Sequence, residues 1–326
     1  YQNDQTNRFS IPHNSVWSIS EDNQKNIWIG TFAGSAAYIN QYDENIFETY
    51  GLSTDGLNKA PVSGFAVDNN MVYISTEGGG LNILDKSTNA FSYLTHSNIE
   101  NSLSGNYTKS SLVDPSGNVW IPTFRGGLNK YNPKTKLFNI FQSKENDNQS
   151  LLSNDIRKIV LEADSGIWIA YQRHSPQISY LSFADNKIKH YSPEIKDDKF
   201  GPSDYIYDIY RGNDDKLWLV SSNLLISFDI NSKEFNQLTI PSQNNLDAST
   251  LCMDNENVIW IGTFGNELIK YDTKVDKFEA FPNILQSEIA EIYSINWSNG
   301  AIWLGANDGL YMFNKQTEKC SVYKES

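Results

Sequence analysis

The chain has 326 residues, with 26 basic against 39 acidic side chains and a formal net charge of −13. A composition of 39% hydrophobic and 13% aromatic residues supports a sizeable core and excludes a disordered chain. The acidity argues against nucleic acid and anionic membrane as partners, since both need local positive charge.

One triplet, aliphatic–aromatic–aliphatic, organises the chain from end to end. The first unit spans 12–50: an apolar strand Val16–Ile19, a turn at Asp22-Asn23-Gln24, the triplet Ile27-Trp28-Ile29 and the pair Phe47/Tyr50. The second, 60–94, carries Val72-Tyr73-Ile74 and Phe91/Leu94. The third, 105–141, carries the turn Asp114–Asn118, Val119-Trp120-Ile121 and Phe138/Phe141. The fourth, 153–191, has Ile167-Trp168-Ile169 and Ile188/Tyr191. The fifth, 204–238, has the strand Ile206–Ile209, Leu217-Trp218-Leu219 and Phe235/Leu238. The sixth, 248–281, has the turn Asp254–Asn257, Ile259-Trp260-Ile261 and Phe278/Phe281. The seventh, 288–323, has Ile302-Trp303-Leu304 and Cys320/Tyr323. The aromatic centres are 45, 47, 48, 50, 42 and 43 residues apart, a period that suits four short strands per unit.

Alternate residues of a strand face opposite sides of its sheet. Ile27 and Ile29 therefore point one way and Trp28 the other, and all three are apolar. Each small sheet is buried on both faces, which for antiparallel sheets requires face-to-face stacking around an axis. The expected fold is all-β: one domain over 1–326, a seven-bladed β-propeller of four-stranded antiparallel blades. Asp22, Asp114 and Asp254 lie among Asn and Gly residues that favour tight turns, and read as turn formers rather than catalytic acids.

The run Asp114-Pro115-Ser116-Gly117-Asn118-Val119-Trp120-Ile121-Pro122-Thr123-Phe124-Arg125-Gly126-Gly127-Leu128-Asn129-Lys130-Tyr131-Asn132 resembles the two-component regulator propeller repeat, as does the shorter run Trp260–Asp272. The resemblance extends over all seven copies. It is weakest in blades 4 and 5, where Ala170 and Val220 replace the glycine and the Gly-Gly-Leu run is lost. It implies the periplasmic sensing region of a Bacteroides-type hybrid two-component histidine kinase that controls polysaccharide use. The implied parent is longer, with a second propeller, a β-sandwich, a membrane helix and a kinase, and forms a homodimer. This chain would then be a segment ending at a blade boundary. Tyr1–Thr6 lacks the pattern of a signal peptide, so the targeting segment of an exported parent would lie outside it. No stretch reaches the roughly 18–20 apolar residues of a membrane span, so no direct membrane insertion is expected.

In a propeller the b–c and d–a connections share one face, and here the d–a segments are long: Gly51–Ala60, Thr95–Gly105, Gln142–Asn154 and Ser192–Asp204. Variable loops on a rigid scaffold carry binding. The b–c connections of blades 1 and 4 also read as extended, with Phe32–Tyr38 and Tyr171–Gln177 leaning over one funnel. The candidate ligand-binding residues are Phe32, Tyr38, Phe124, Arg125, Tyr171, Gln172, Arg173, His174 and Phe264. Aromatic faces with Arg and amide groups suit a sugar, and Arg would pair with a uronate or sulfate. Phe32, Phe124 and Phe264 share one repeat position, which equally fits packing between blades. Tyr171, Arg173 and His174 equally fit an exposed loop without ligand.

No catalytic residue is assigned. His174 as base with Tyr171 as acid would make a lyase-like pair, but no paired carboxylate accompanies them. The leading reading is a non-catalytic sensor that recognises glycan fragments or supports receptor assembly. A propeller-fold lyase or glycosidase is the second, and a pure protein-interaction scaffold the third. The two cysteines, Cys252 and Cys320, and the four scattered histidines, His13, His96, His174 and His190, have no zinc spacing, so no metal and no cofactor is expected. Cys252, in strand a, and Cys320, in strand d, should be free thiols, because three strand spacings of roughly 14 Å exceed the reach of a disulfide. Ring closure should bring Phe9 close to Tyr323.

Overall fold

The computed structural model describes residues 3, 10–39, 47–59, 61–172, 177–193, 205–242, 247–285, 287 and 289–322. Their strands form seven four-stranded antiparallel sheets, each built from four consecutive strands. Blade 1 is β1 (Val16–Glu21), β2 (Ile27–Thr31), β3 (Ser35–Ile39) and β4 (Phe47–Gly51). Blade 2 is β5 (Val62–Asp68), β6 (Met71–Thr76), β7 (Gly80–Asp85) and β8 (Ala90–Leu94). Blade 3 is β9 (Leu112–Val113), β10 (Val119–Thr123), β11 (Gly127–Asn132) and β12 (Leu137–Phe141). Blade 4 is β13 (Ile156–Glu162), β14 (Gly166–Tyr171), β15 (Ile178–Ser182) and β16 (Ile188–Tyr191). Blade 5 is β17 (Asp208–Arg211), β18 (Lys216–Ser221), β19 (Leu224–Asp229) and β20 (Phe235–Thr239). Blade 6 is β21 (Ala248–Met253), β22 (Val258–Thr263), β23 (Glu267–Asp272) and β24 (Lys277–Pro282). Blade 7 is β25 (Ile292–Ser298), β26 (Ala301–Ala306), β27 (Leu310–Asn314) and β28 (Lys319–Val322). The protein is a seven-bladed β-propeller.

The triplet builds the seams. Trp28 packs with Val62, Val72 and Ile74 of blade 2, while Ile27 and Ile29 pack with Trp303 and Leu310 of blade 7. Each central ring thus faces the following blade and its aliphatic neighbours face the preceding one. Trp120, for instance, lies with Ile156, Ile167 and Ile169 of blade 4. The small residue two places after the ring lets the next blade approach. A Cβ on Gly30 would come within 2.5 Å of Val62 Cγ1, and one on Gly305 within 2.7 Å of Val16 Cγ1.

That second contact closes the ring: blade 7 meets blade 1 by the same device that joins blade 1 to blade 2. Ile11 is buried at the same seam. Phe9 and Tyr323, whose proximity the closure predicts, lie outside the described residues. Cys252 and Cys320 are free. Burial pushes the Cys252 thiol far above its ordinary value.

Two of the long connections are pinned to strand c. In blade 2 the Asn58 amide donates to Asn82 Oδ1 at 2.9 Å, and in blade 3 the Ser104 amide donates to Asn129 Oδ1 at 2.9 Å. These asparagines end the Gly-Gly-Leu-Asn runs, so that motif anchors the d–a loop to strand c.

Candidate functional site

Every blade borders an axial funnel of about 430 Å³ through its innermost strand or the residues just before that strand. In five blades that strand carries a β-bulge after its first residue, at Val16, Val62, Ile156, Ala248 and Ile292. A bulge re-aims the extra side chain. Here those side chains, Trp17, Ser63, Arg157, Ser249 and Tyr293, line the funnel, and Lys109 and Tyr207 hold the equivalent place in blades 3 and 5. The Lys109 amide donates to Pro122 O at 2.9 Å and the Tyr207 amide to Val220 O at 2.9 Å, two residues beyond the triplet ring in both cases.

These side chains also tie neighbouring blades together. Ser63 Oγ donates to Thr108 O at 2.7 Å, Arg157 Nε to Tyr207 O at 2.8 Å and Ser249 Oγ to Ile292 O at 2.5 Å.

The funnel has two chemically distinct sides. Blades 3 and 4 contribute Lys109, Arg157 and Lys158. Lys109 pairs with Glu77 at 2.5 Å and Lys158 with Asp208 at 2.5 Å. The remainder of the wall, from blade 5 round to blade 1, is aromatic. The Trp17 ring lies 5.0 Å from Phe32 and 6.2 Å from Tyr293, and Tyr207 lies 5.1 Å from Phe264, edge to face. Burial, and a hydrogen bond to Glu291, push the Tyr293 phenol up to about 12, so it stays neutral and donates.

In five blades the outer rim is set by the residue four places after the triplet ring. Its amide is fixed to the start of strand a: Phe32 on Ser15, Glu77 on Pro61, Phe124 on Tyr107, Gln172 on Asp155 and Phe264 on Asp247, all at 2.8–3.0 Å. Four of the residues singled out from sequence, Phe32, Phe124, Gln172 and Phe264, therefore share one repeat position around the rim. Phe264 reaches the funnel itself, and Phe32 is 49% exposed. Arg125 is exposed in the turn after Phe124, its guanidinium 4.9 Å from that ring. Arg173 and His174 lie outside the described residues.

Two expectations need correcting. Blade 1 has no extended b–c connection. Trp28 pairs with Tyr38, ten residues on, just as Trp120 pairs with Lys130; only blade 4 is longer here, Trp168 pairing with Tyr180. Tyr38 is consequently a residue of β3, stacked 4.8 Å from Trp28 at the blade 1–2 seam, away from the funnel. Tyr171 is fully buried. Its hydroxyl donates to Ser179 Oγ at 2.8 Å and accepts the Leu152 amide at 3.3 Å. Ser179 stands where Asn82 and Asn129 stand in their blades, paired across from the last residue of the triplet. Where the asparagine is lost, Tyr171 takes over the anchoring of the loop. Burial pushes its phenol up to about 12 despite the Ser179 bond, so it stays protonated in this buried position.

Sequence reading missed the strand-a side chains. The signal was present: the column ten or eleven residues before each triplet ring reads Trp17, Ser63, Lys109, Arg157, Tyr207, Ser249, Tyr293. It is chemically mixed within otherwise apolar, repeating strands. Among the described residues no group of three or more His, Cys, Asp or Glu side chains is placed to hold a metal, and no helix is long and apolar enough to cross a membrane.

Residues 10–33 match the family model of the two component regulator propeller. The chain carries a two-component regulator propeller repeat. Histidine kinase P4 of Formosa agariphila is 26% identical over 305 residues, a match covering 76% of this chain. The propeller spans only 22% of that relative's length. It resembles the extracellular domain of a hybrid two component system of B. thetaiotaomicron with a TM-score of 0.70 at 21% identity, covering 91% of this chain and 39% of that one. It also resembles virginiamycin B lyase of Staphylococcus aureus with a TM-score of 0.72 at 17% identity, covering 91% and 93%. Both structural likenesses are likenesses of fold.

Proposed function

We propose that this propeller is a non-catalytic sensory segment of a two-component signalling receptor, working outside the cytoplasmic membrane, and that its axial funnel recognises a soluble glycan fragment. The observation that carries this reading is the convergence of one side chain per blade, five of them placed by bulges, on a single funnel that is cationic at blades 3 and 4 and aromatic from blade 5 round to blade 1. Aromatic faces match the apolar faces of a sugar ring, and the polar side matches its hydroxylated rim. The family repeat and the histidine kinase relative support the signalling context. The periplasm, a second propeller, a β-sandwich and a homodimeric parent belong to the same reading.

The funnel's chemistry favours binding over catalysis. Lys109 is committed to Glu77, Lys158 to Asp208 and Tyr293 to Glu291. A general acid or base needs a proton free to exchange with substrate. Thermal-shift screening of the chain against soluble oligosaccharides tests the reading. A stabilising oligosaccharide should lose its effect in Trp17→Ala and Phe264→Ala. A hit whose effect survives both substitutions places recognition elsewhere, and the appearance of new reducing ends or unsaturated products during incubation would make the chain an enzyme.

A further inference from the structure

Three cations face the funnel, and two of them are neutralised by Glu77 and Asp208. Arg157 is the third. It has no carboxylate within ion-pair distance among the described residues. One of its five N–H donors, on Nε, is used on Tyr207 O. Its two terminal nitrogens donate to none of the described residues. In a chain of net charge −13, the funnel wall is thus a local spot of excess positive charge. Anions are repelled by most of the surface and drawn to this point.

Arg157 also lines a second cavity of about 290 Å³, shared with Gln172, Tyr205, Ile206 and Tyr207. It stands at the boundary between that cavity and the funnel. Gln172, one of the residues lining this second cavity, has a side-chain oxygen that is buried without a hydrogen-bond partner. A buried acceptor left unmade is costly, and a ligand that supplies the donor recovers that cost.

We propose that Arg157 and Gln172 form a subsite for a hydroxylated carboxylate, so that the glycan recognised in the funnel contains a sugar acid. This rests on the funnel being the recognition site. The guanidinium fork takes the carboxylate through two parallel hydrogen bonds, a geometry lysine lacks. The Gln172 oxygen accepts from a neighbouring hydroxyl. Burial lowers the proton affinity of Arg157 while the charges of Asp208, Tyr207 and Glu77 oppose it, and a bound carboxylate acts in the same sense as those charges.

The test is calorimetric titration with oligogalacturonate and oligoglucuronate, with their neutral counterparts and with a sulfated galactose oligosaccharide. The uronates should bind the wild type, less tightly as salt rises. Their affinity should fall about tenfold or more in Arg157→Gln, be only partly restored in Arg157→Lys and fall several-fold in Gln172→Leu, while neutral sugars respond to none of the three. Thermal unfolding of each variant shows that it remains folded, and Gln172→Leu leaves the Arg157–Tyr207 bond in place if Arg157→Gln does not fold. Tighter binding of the sulfated oligosaccharide than of either uronate overturns the assignment to a carboxylate. Neutral binding that needs Trp17 but ignores Arg157 overturns the sugar-acid subsite and leaves the funnel standing. No binding of any probe overturns both.

Discussion

The Asp114 carboxylate accepts the indole N–H of Trp120 at 2.8 Å, six residues further along the chain. The same oxygen pair accepts the Ser116 and Asn118 amides of the a–b turn. One side chain therefore forms the turn and satisfies the polar atom of the ring that fills the seam. Asp22 does this for Trp28 at 3.0 Å and Asp254 for Trp260 at 3.1 Å, with Glu162 on Trp168 at 2.7 Å in blade 4.

Removing the carboxylate should leave a buried indole N–H, the two turn amides and the Asn118 side-chain amide wanting. Asp114→Ala is expected to cost about 1–3 kcal/mol, and Asp114→Asn less. Urea unfolding measures both. A variant as stable as the wild type would reduce the pairing to coincidence.

The ring itself contributes more. Trp120 is wholly buried between blades 3 and 4, so Trp120→Ala should cost about 3–5 kcal/mol. Trp297 is only partly buried and sits under Lys315 Nζ at 4.9 Å. Trp297→Ala should cost clearly less, and equal losses would contradict the seam assignment.

Asp22 carries a pH signature. Burial disfavours its ionised form, but hydrogen bonds from Trp28, Asn26 and Gln24 outweigh that and hold its carboxyl below the ordinary 3.8. A depressed folded value contributes stability that is complete above the unfolded value and lost as pH falls through the folded one. Asp22→Asn should therefore narrow the gap in unfolding midpoint between about pH 5 and about pH 2. An acid dependence identical to that of the wild type would exclude Asp22 as a contributor.

The repeat period and the two-faced triplet were enough to read the propeller, because every seam depends on the same apolar column. The turn role of Asp114 was readable too, since Asp-x-x-Gly-Asn favours a turn whatever surrounds it. Its bond to Trp120 was not, because the hairpin has to form before the two meet. The rim position of Phe32, Phe124 and Phe264 followed from repeat phase. Arg157 and Trp17 did not, because a bulge shifts the alternation by one residue and turns them inward. Tyr171 was misjudged for a related reason: its hydroxyl replaces an asparagine on a neighbouring strand, a substitution visible only in three dimensions.

Tyr171→Phe should thus act on folding rather than recognition. It removes the acceptor of the Leu152 amide and should speed hydrogen exchange there, at a cost of about 1 kcal/mol, with ligand affinity unchanged. Lost affinity with protection at Leu152 intact would return Tyr171 to the binding site.

The funnel can be observed directly through its tryptophan. The chain has eight indoles; that of Trp17 lines the funnel, whereas that of Trp120 is held on Asp114 inside a seam. Nitrogen-15 spectra of the labelled chain, with the Trp17 signal assigned through Trp17→Phe, report on both during titration with an oligosaccharide that stabilises the protein. Recognition in the funnel predicts a saturable shift of the Trp17 indole resonance while that of Trp120 stays in place. Saturable shifts that spare Trp17 and fall on other indoles, such as Trp168 or Trp297, would contradict it.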